Sequence, residues 1–150
     1  MIILDNSVLS AFKRLKLLSK LNLLITTATV SKEVFNEYSK QWQKKIPKWI
    51  NVIKPKEEAP FYSVPVSLSK ADISLIRLAL ELKLPIATDD RPLRLYAREL
   101  GIATIGSLAI LKKLYQSRII KTRKEFLIYL ETLQEDIYLS EALRKWALED

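Results

Sequence analysis

The sequence predicts an α/β fold, a mainly parallel sheet of four to five strands between layers of helices, with a helical appendage at its C-terminal end. Three observations carry this. Short continuous apolar runs, as expected of strands buried on both faces, alternate with segments whose apolar residues recur at helical spacing, the pattern of βαβ units. At 150 residues the chain suits one domain, and its 2 glycines and 6 prolines leave little for linkers. Beyond Ile120 two helical segments follow one another with no strand between them. Residues 1–120 are therefore expected to form the α/β body and residues 121–150 a helical extension of the same domain.

The first run, MIIL, ends in Asp5 and leads into a helix expected over Val8–Leu18, with Leu9, Phe12 and Leu15 on its inner face. The run Leu21–Ile25 is expected as the second strand, passing through TTATV into a helix over SKEVFNEYSKQWQKK, residues 31–45. KWINVI, residues 48–53, lies between Pro47 and Pro55 and reads as an edge or connecting strand, and KPKEEAP after it as a surface loop. Ser69–Lys83 places Ile73, Ile76, Ala79 and Leu80 on one helix face, and LPIAT follows as a short buried strand. Pro92–Leu100 reads as a helix stopped by Gly101, Ile102–Ile105 as a strand, and Ser107–Gln116 as the next helix. The appendage comprises helices over Thr122–Leu133 and Leu139–Leu148. The apolar residues of the latter need a surface to cover, either the body or a second copy in a homodimer.

Composition removes whole classes of chemistry. With no cysteine there is neither a disulfide framework nor a thiolate zinc site. With no histidine the commonest general base, the Ser-His-Asp triad and imidazole metal ligands are all excluded. Catalysis would have to run on carboxylates, lysines or metal-activated water, and an all-oxygen ligand set suits magnesium or manganese. MIILDNSV lacks the features of a signal peptide, and no apolar run approaches the ~20 residues that span a bilayer, so a cytoplasmic protein without a membrane segment is expected. The net charge of +8 is unevenly spread. Residues 1–124 carry 23 Lys and Arg against 10 Asp and Glu, a net +13, whereas residues 125–150 carry 2 against 7, a net −5. A basic body attracts a polyanion, and nucleic acid is the usual one.

Asp5, Asp72 and the Asp89–Asp90 pair all sit near the start of a predicted helix, where a carboxylate has an ordinary task as a cap. Ser69-Lys-Ala-Asp72 even matches a capping box. In a parallel sheet, however, strand-to-helix junctions all lie on the carboxyl edge, where open α/β folds bind their ligands. Capping and site positions therefore coincide. If the strands before Asp5 and Asp90 are neighbours, several acids converge and repel one another unless a cation lies between them. On the helix after TTATV, Glu33 and Glu37 are four residues apart. At ~100° per residue, the apolar stripe of Val34, Phe35, Tyr38 and Trp42 leaves Glu37 nearer the inner face and Glu33 almost opposite it.

The order Leu4-Asp5-Asn6-Ser7, Val30–Tyr38 containing Glu37, Ala71-Asp72 and Ala87-Thr88-Asp89-Asp90 resembles the PIN domain, the nuclease fold of many prokaryotic toxin ribonucleases. That family carries an acid in D-x-S after its first strand, a glutamate in its second helix, an aspartate opening a central helix, and T-x-D after its fourth strand. These positions fall on Asp5, Glu37, Asp72 and Asp90, with Ser7 completing D-x-S and Asp89 at the variable place of T-x-D. DDRPLRLYARELGIATIGSLAIL is further similar to a PIN subgroup with DD-x-x-x-R, A-x-x-L-G and G-[ST] before the next helix. Tyr38 stands where PIN toxins often have leucine. The motifs cover residues 1 to about 120.

The resemblance implies a three-layer PIN-like fold and hydrolysis of RNA phosphodiesters with one or two Mg2+ or Mn2+ ions, with a protein antitoxin as partner if the chain is a toxin. It implies Asp5 and Asp90 as direct ligands, Glu37 and Asp72 as ligands through water or groups orienting the nucleophile, and Ser7 and Asp89 in support; Thr88 reads as structural. Arg91, Arg94 and Arg98 recur at i, i+3 and i+7 and, with Lys40 and Lys44, are candidates for the RNA backbone. Trp42 and Trp49 are expected in the core. The alternatives are a noncatalytic RNA-binding PIN module and a phosphoacceptor receiver domain; the Ile102–Gly106 segment lacks the lysine that the receiver reading requires.

Overall fold

A computed structural model of the chain describes residues 1–56 and 64–149. Residues 57–60 of the loop expected over KPKEEAP fall outside the described residues. The described elements are, in order, β1 (Ile2–Leu4), α1 (Asn6–Arg14), α2 (Leu18–Leu24), β2 (Ala28–Ser31), α3 (Lys32–Trp42), β3 (Ile50–Ile53), α4 (Lys70–Leu82), β4 (Ile86–Ala87), α5 (Arg91–Glu99), β5 (Thr104–Ile105), α6 (Ser107–Gln116), α7 (Arg123–Asp136) and α8 (Glu141–Leu148). The strands form one parallel sheet in the order β3-β2-β1-β4-β5, with helices packed around it. Ile3, Leu4, Ala28, Val30, Ile86 and Ala87 are buried, as a sheet covered on both faces requires.

The topology fixes where a ligand would bind. The chain lays β2 and β3 to one side of β1, then returns through α4 to lay β4 and β5 on the other, so strand order reverses between β1 and β4. Such a reversal opens a crevice at the carboxyl ends of the two strands. Register pairs Leu4 with Ala87, and the ladder runs to the crevice itself: the Asp5 N–H donates to the Ala87 carbonyl at 2.9 Å and the Thr88 N–H to the Ile105 carbonyl at 2.9 Å.

The expectation for the second strand is corrected. Leu21–Ile25 is not a strand: Leu21–Leu24 belongs to α2, and β2 lies further on at Ala28–Ser31. Leu17 and Leu21, four residues apart, are fully buried, a helical contact pattern that stabilises by about 2 kcal/mol for each leucine buried. Lys16, at φ 58, makes the turn between α1 and α2. Within the 48–53 segment β3 is an edge strand, since among the described residues it pairs only with β2. Gly101, at φ 75, follows the α5 cap Leu100 in the left-handed conformation that a helix end uses.

The C-terminal helices pack on the body. The Tyr115 and Phe126 rings stack at 4.6 Å between α6 and α7. Buried Lys112 donates from Nζ to the Trp146 carbonyl at 2.6 Å and sets its ammonium over the Trp146 ring at 4.1 Å, which ties α8 to α6. Arg14 of α1 pairs with Asp136 at 3.7 Å. Among the described residues no helix is long and apolar enough to cross a membrane.

Candidate active site

Asp5 is both the first residue past β1 and the N-cap of α1, and it is 6% exposed. Its Oδ1 accepts from the Asn6 N–H at 2.7 Å, and its Oδ2 from the hydroxyls of Ser7 at 2.9 Å and Thr88 at 2.6 Å. Burial pushes the Asp5 carboxyl above its ordinary range. The bonds from Thr88 and Ser7 pull it back, the Asp72 charge pushes it up again, and the Asn6 amide lowers it. Each hydroxyl also accepts a bond past the end of β4: Ser7 Oγ, from the β1 side, accepts from the Asp89 N–H at 3.1 Å, and Thr88 Oγ1 accepts from the Asp90 N–H two residues on at 3.1 Å. Two hydroxyls thus clamp the ends of β1 and β4 together around one buried carboxylate.

The other acids also cap helices. Asp90 is the N-cap of α5 and accepts from the Leu93 N–H through Oδ2 at 3.1 Å, leaving Oδ1 outside the cap. Asp72 completes the capping box that the sequence predicts: its Oδ2 accepts from the Ser69 N–H at 2.9 Å while its own N–H donates to Ser69 Oγ at 3.1 Å. Glu37 is exposed on α3, yet partial desolvation, then the charges of Asp5 and Asp72, push its carboxyl above the usual range. Asp5, Glu37 and Asp72 therefore share one electrostatic field, and Asp90 joins Asp5 through Thr88.

Asp89 points elsewhere. Its Oδ1 accepts from the Ser107 N–H at 2.7 Å and its Oδ2 from the Ser107 hydroxyl at 2.6 Å, so it caps α6, whose own N-cap residue is Gly106. A Cβ on Gly106 would lie 3.1 Å from Asp89 Oδ1, so glycine suits this close approach. Sequence reasoning read Thr88 as structural and gave Ser107 no role. The signal for Ser107 was the Gly-Ser pair before α6; for Thr88 it was only the neighbouring aspartates.

The charge convergence matches the chemistry of a hard divalent cation, because a cation among Asp5, Glu37 and Asp72 would relieve their repulsion and meet only oxygen donors. As arranged, no group of three or more acids among the described residues stands close enough to hold an ion. Of the basic candidates, Arg91 and Arg94 line a groove of about 650 Å³ that also touches Asp89 and Gly106. Arg98 is exposed in the last turn of α5, away from that lining. Lys40 and Lys44 are exposed, one in the last turn of α3 and the other just past its cap. Trp42 is half-buried, donating from Nε1 to Ser10 Oγ at 3.0 Å, and Trp49 is half-buried too.

A PilT N-terminus domain protein from the hyperthermophilic archaeon Sulfolobus solfataricus P2 has a similar structure, with a TM-score of 0.51 at 13% identity over 93% of this chain and 96% of that one. At that identity the likeness establishes the fold. No curated protein matches the sequence. The family model described as DUF3368: PIN domain matches residues 1–150, and so includes the acidic C-terminal helices that the short motifs do not reach. With the doubly wound sheet, the acids at its switch point and this match over the whole length, the chain belongs to the PIN domain family, whose members are typically nucleases.

Proposed function

We propose that the protein is a divalent-metal-dependent endoribonuclease that hydrolyses RNA phosphodiester bonds, with Asp5, Glu37, Asp72 and Asp90 as its catalytic acids. The carrying observation is the clamped Asp5 carboxylate, buried at the switch point and sharing the field of Glu37 and Asp72. Asp5 and Asp90 would hold a Mg2+ or Mn2+ ion, Asp90 through the oxygen outside its cap, with Asp72 and Glu37 acting through water or orienting the nucleophile. Bound there, the ion supplies Lewis acidity and lowers the pKa of water, the task that an enzyme without histidine must delegate. Thr88 and Ser7 fix the orientation of Asp5. Glu37, exposed on α3 within the field of Asp5 and Asp72 and with raised proton affinity, is suited to take the proton of the attacking water at its carboxylate. Arg91, Arg94, Arg98, Lys40 and Lys44 would meet the phosphate backbone on either side.

The setting that fits this chemistry is cytoplasmic, with a protein antitoxin as partner should the enzyme be a toxin. A noncatalytic RNA-binding module is the second reading; the retention of all four acids favours catalysis. Purified protein incubated with a mixed RNA pool and manganese should cleave it, and chelator should stop cleavage. Binding of the pool without any cleavage in manganese or magnesium would select the noncatalytic reading.

A further inference from the structure

The groove beside the acids has two unlike walls. One comes from the carboxyl edge and carries Arg91 and Arg94; the other comes from the C-terminal segment and carries Tyr138, in the link between α7 and α8, and Leu143 and Trp146 of α8. Tyr138 is 89% exposed and Trp146 is 41% exposed, so both rings offer apolar surface to a ligand. Of the two acids in the lining, Asp136 pairs with Arg14, and Asp89 keeps its charge but turns both oxygens to Ser107 at the start of α6. Arg91 and Arg94 outnumber that one carboxylate without a cationic partner, so the lining is net positive.

We propose that this groove binds an unpaired nucleotide of the RNA substrate, its base against Tyr138 and Trp146 and its phosphate on Arg91 and Arg94. The proposal rests on the ribonuclease reading and adds a base-binding subsite to which the acidic C-terminal segment contributes. A polyanion with flat apolar faces matches both walls at once. A volume of about 650 Å³ suits one or two nucleotides and lies within the roughly 300–1,000 Å³ usual for ligand pockets. A duplex would keep its bases stacked away from the rings. The groove also abuts the acids, since Asp89 lines it and donates its N–H to the same Ser7 hydroxyl that bonds Asp5.

The test is fluorescence anisotropy of full-length protein in chelator, with a labelled unstructured RNA decamer and an abasic decamer of the same length. Stacking of a base on an aromatic ring corresponds to a roughly 5- to 150-fold effect on affinity. Tyr138→Ala should weaken binding of the base-bearing decamer within that range, Tyr138→Phe should restore it, and the abasic decamer should bind parent and Tyr138→Ala alike. Base-bearing RNA should quench tryptophan emission in the parent and much less in Trp146→Phe. Unchanged affinity of Tyr138→Ala for the base-bearing decamer, or an equal loss on both decamers, overturns the groove while leaving the ribonuclease reading intact. A dimer or peptide complex that Tyr138→Ala disrupts with RNA affinity preserved overturns it as well. Failure of the parent to bind either decamer overturns the groove, while the ribonuclease reading is decided separately by cleavage of the RNA pool in manganese.

Discussion

Replacing Thr88 with valine should break the clamp at the switch point without opening a cavity, because the two side chains have the same shape. Thr88 is fully buried and its hydroxyl makes two bonds, donating to Asp5 Oδ2 at 2.6 Å and accepting from the Asp90 N–H at 3.1 Å. A hydrogen bond to a charged group contributes about 1.5–3 kcal/mol, and a part-buried amide left without an acceptor costs about 1 kcal/mol more. The expected loss at pH 7 is therefore about 3 kcal/mol, or a midpoint lower by about 6–12 °C for a domain of this size. Thr88→Ser keeps both bonds and loses one methyl group, so its midpoint should fall by no more than about 4 °C. The deficit also depends on pH. Burial raises the folded pKa of Asp5 above 3.8, and the Thr88 bond restrains that rise. A raised carboxyl contributes stability that is present below 3.8 and lost as pH climbs through the folded pKa. Removing the bond raises the folded pKa further, so the gap between Thr88→Val and the parent should be small near pH 3.5 and full by pH 7. Thermal melts of metal-free protein across that range decide it. A Thr88→Val protein melting within 2 °C of the parent at pH 7, or a deficit independent of pH, would refute the clamp.

Three further outcomes follow from the same geometry. Asp5→Asn should raise the metal-free midpoint at pH 7, because it removes a buried charge whose folded pKa is raised; the gain should vanish below pH 3.8, and melts at the two pH values check both signs. Asp90→Asn should preserve the α5 cap, while Asp90→Ala should cost about 0.5–2 kcal/mol; both should shrink the stabilisation that added manganese confers, as paired melts would record. Replacing Arg91, Arg94 and Arg98 together with glutamine should weaken RNA binding and flatten its dependence on salt, and equal salt slopes would remove these arginines from the interface.

Much of this molecule is legible in its sequence because its elements are punctuated by residues with one dominant conformational use. Ser69 with Asp72, Pro92 behind Asp90, and Gly101 set three helix boundaries to within a residue or two. The second strand was not legible. LNLLI is too short for periodicity to separate a strand from a buried helical turn, and the true strand, ATVS, contains two hydroxyl residues that read as a connection. Thr29 and Ser31 are nonetheless fully buried, a placement decided by the packing of neighbouring elements rather than by hydropathy. The site divides in the same way. The acids stand out because carboxylates at helix starts are visible in one dimension. Thr88 does not, because its bond to Asp5 spans 83 residues and exists only through the pairing of Leu4 with Ala87. The different task of Asp89 depends likewise on Ser107, 18 residues on.

The most direct test is a manganese titration of RNA cleavage by the parent and by Asp5→Asn, prepared side by side. The substitution keeps the shape of the side chain and removes its charge; its oxygen can accept from the Asn6 amide while its NH2 must donate to Ser7 and Thr88, reversing those two bonds. If the buried carboxylate at the switch point organises a metal-dependent nuclease, parent activity rises with manganese and is abolished by chelator, while Asp5→Asn falls by orders of magnitude although it melts no lower. Cleavage by Asp5→Asn at the parent rate, or parent cleavage undiminished in chelator, would contradict that assignment.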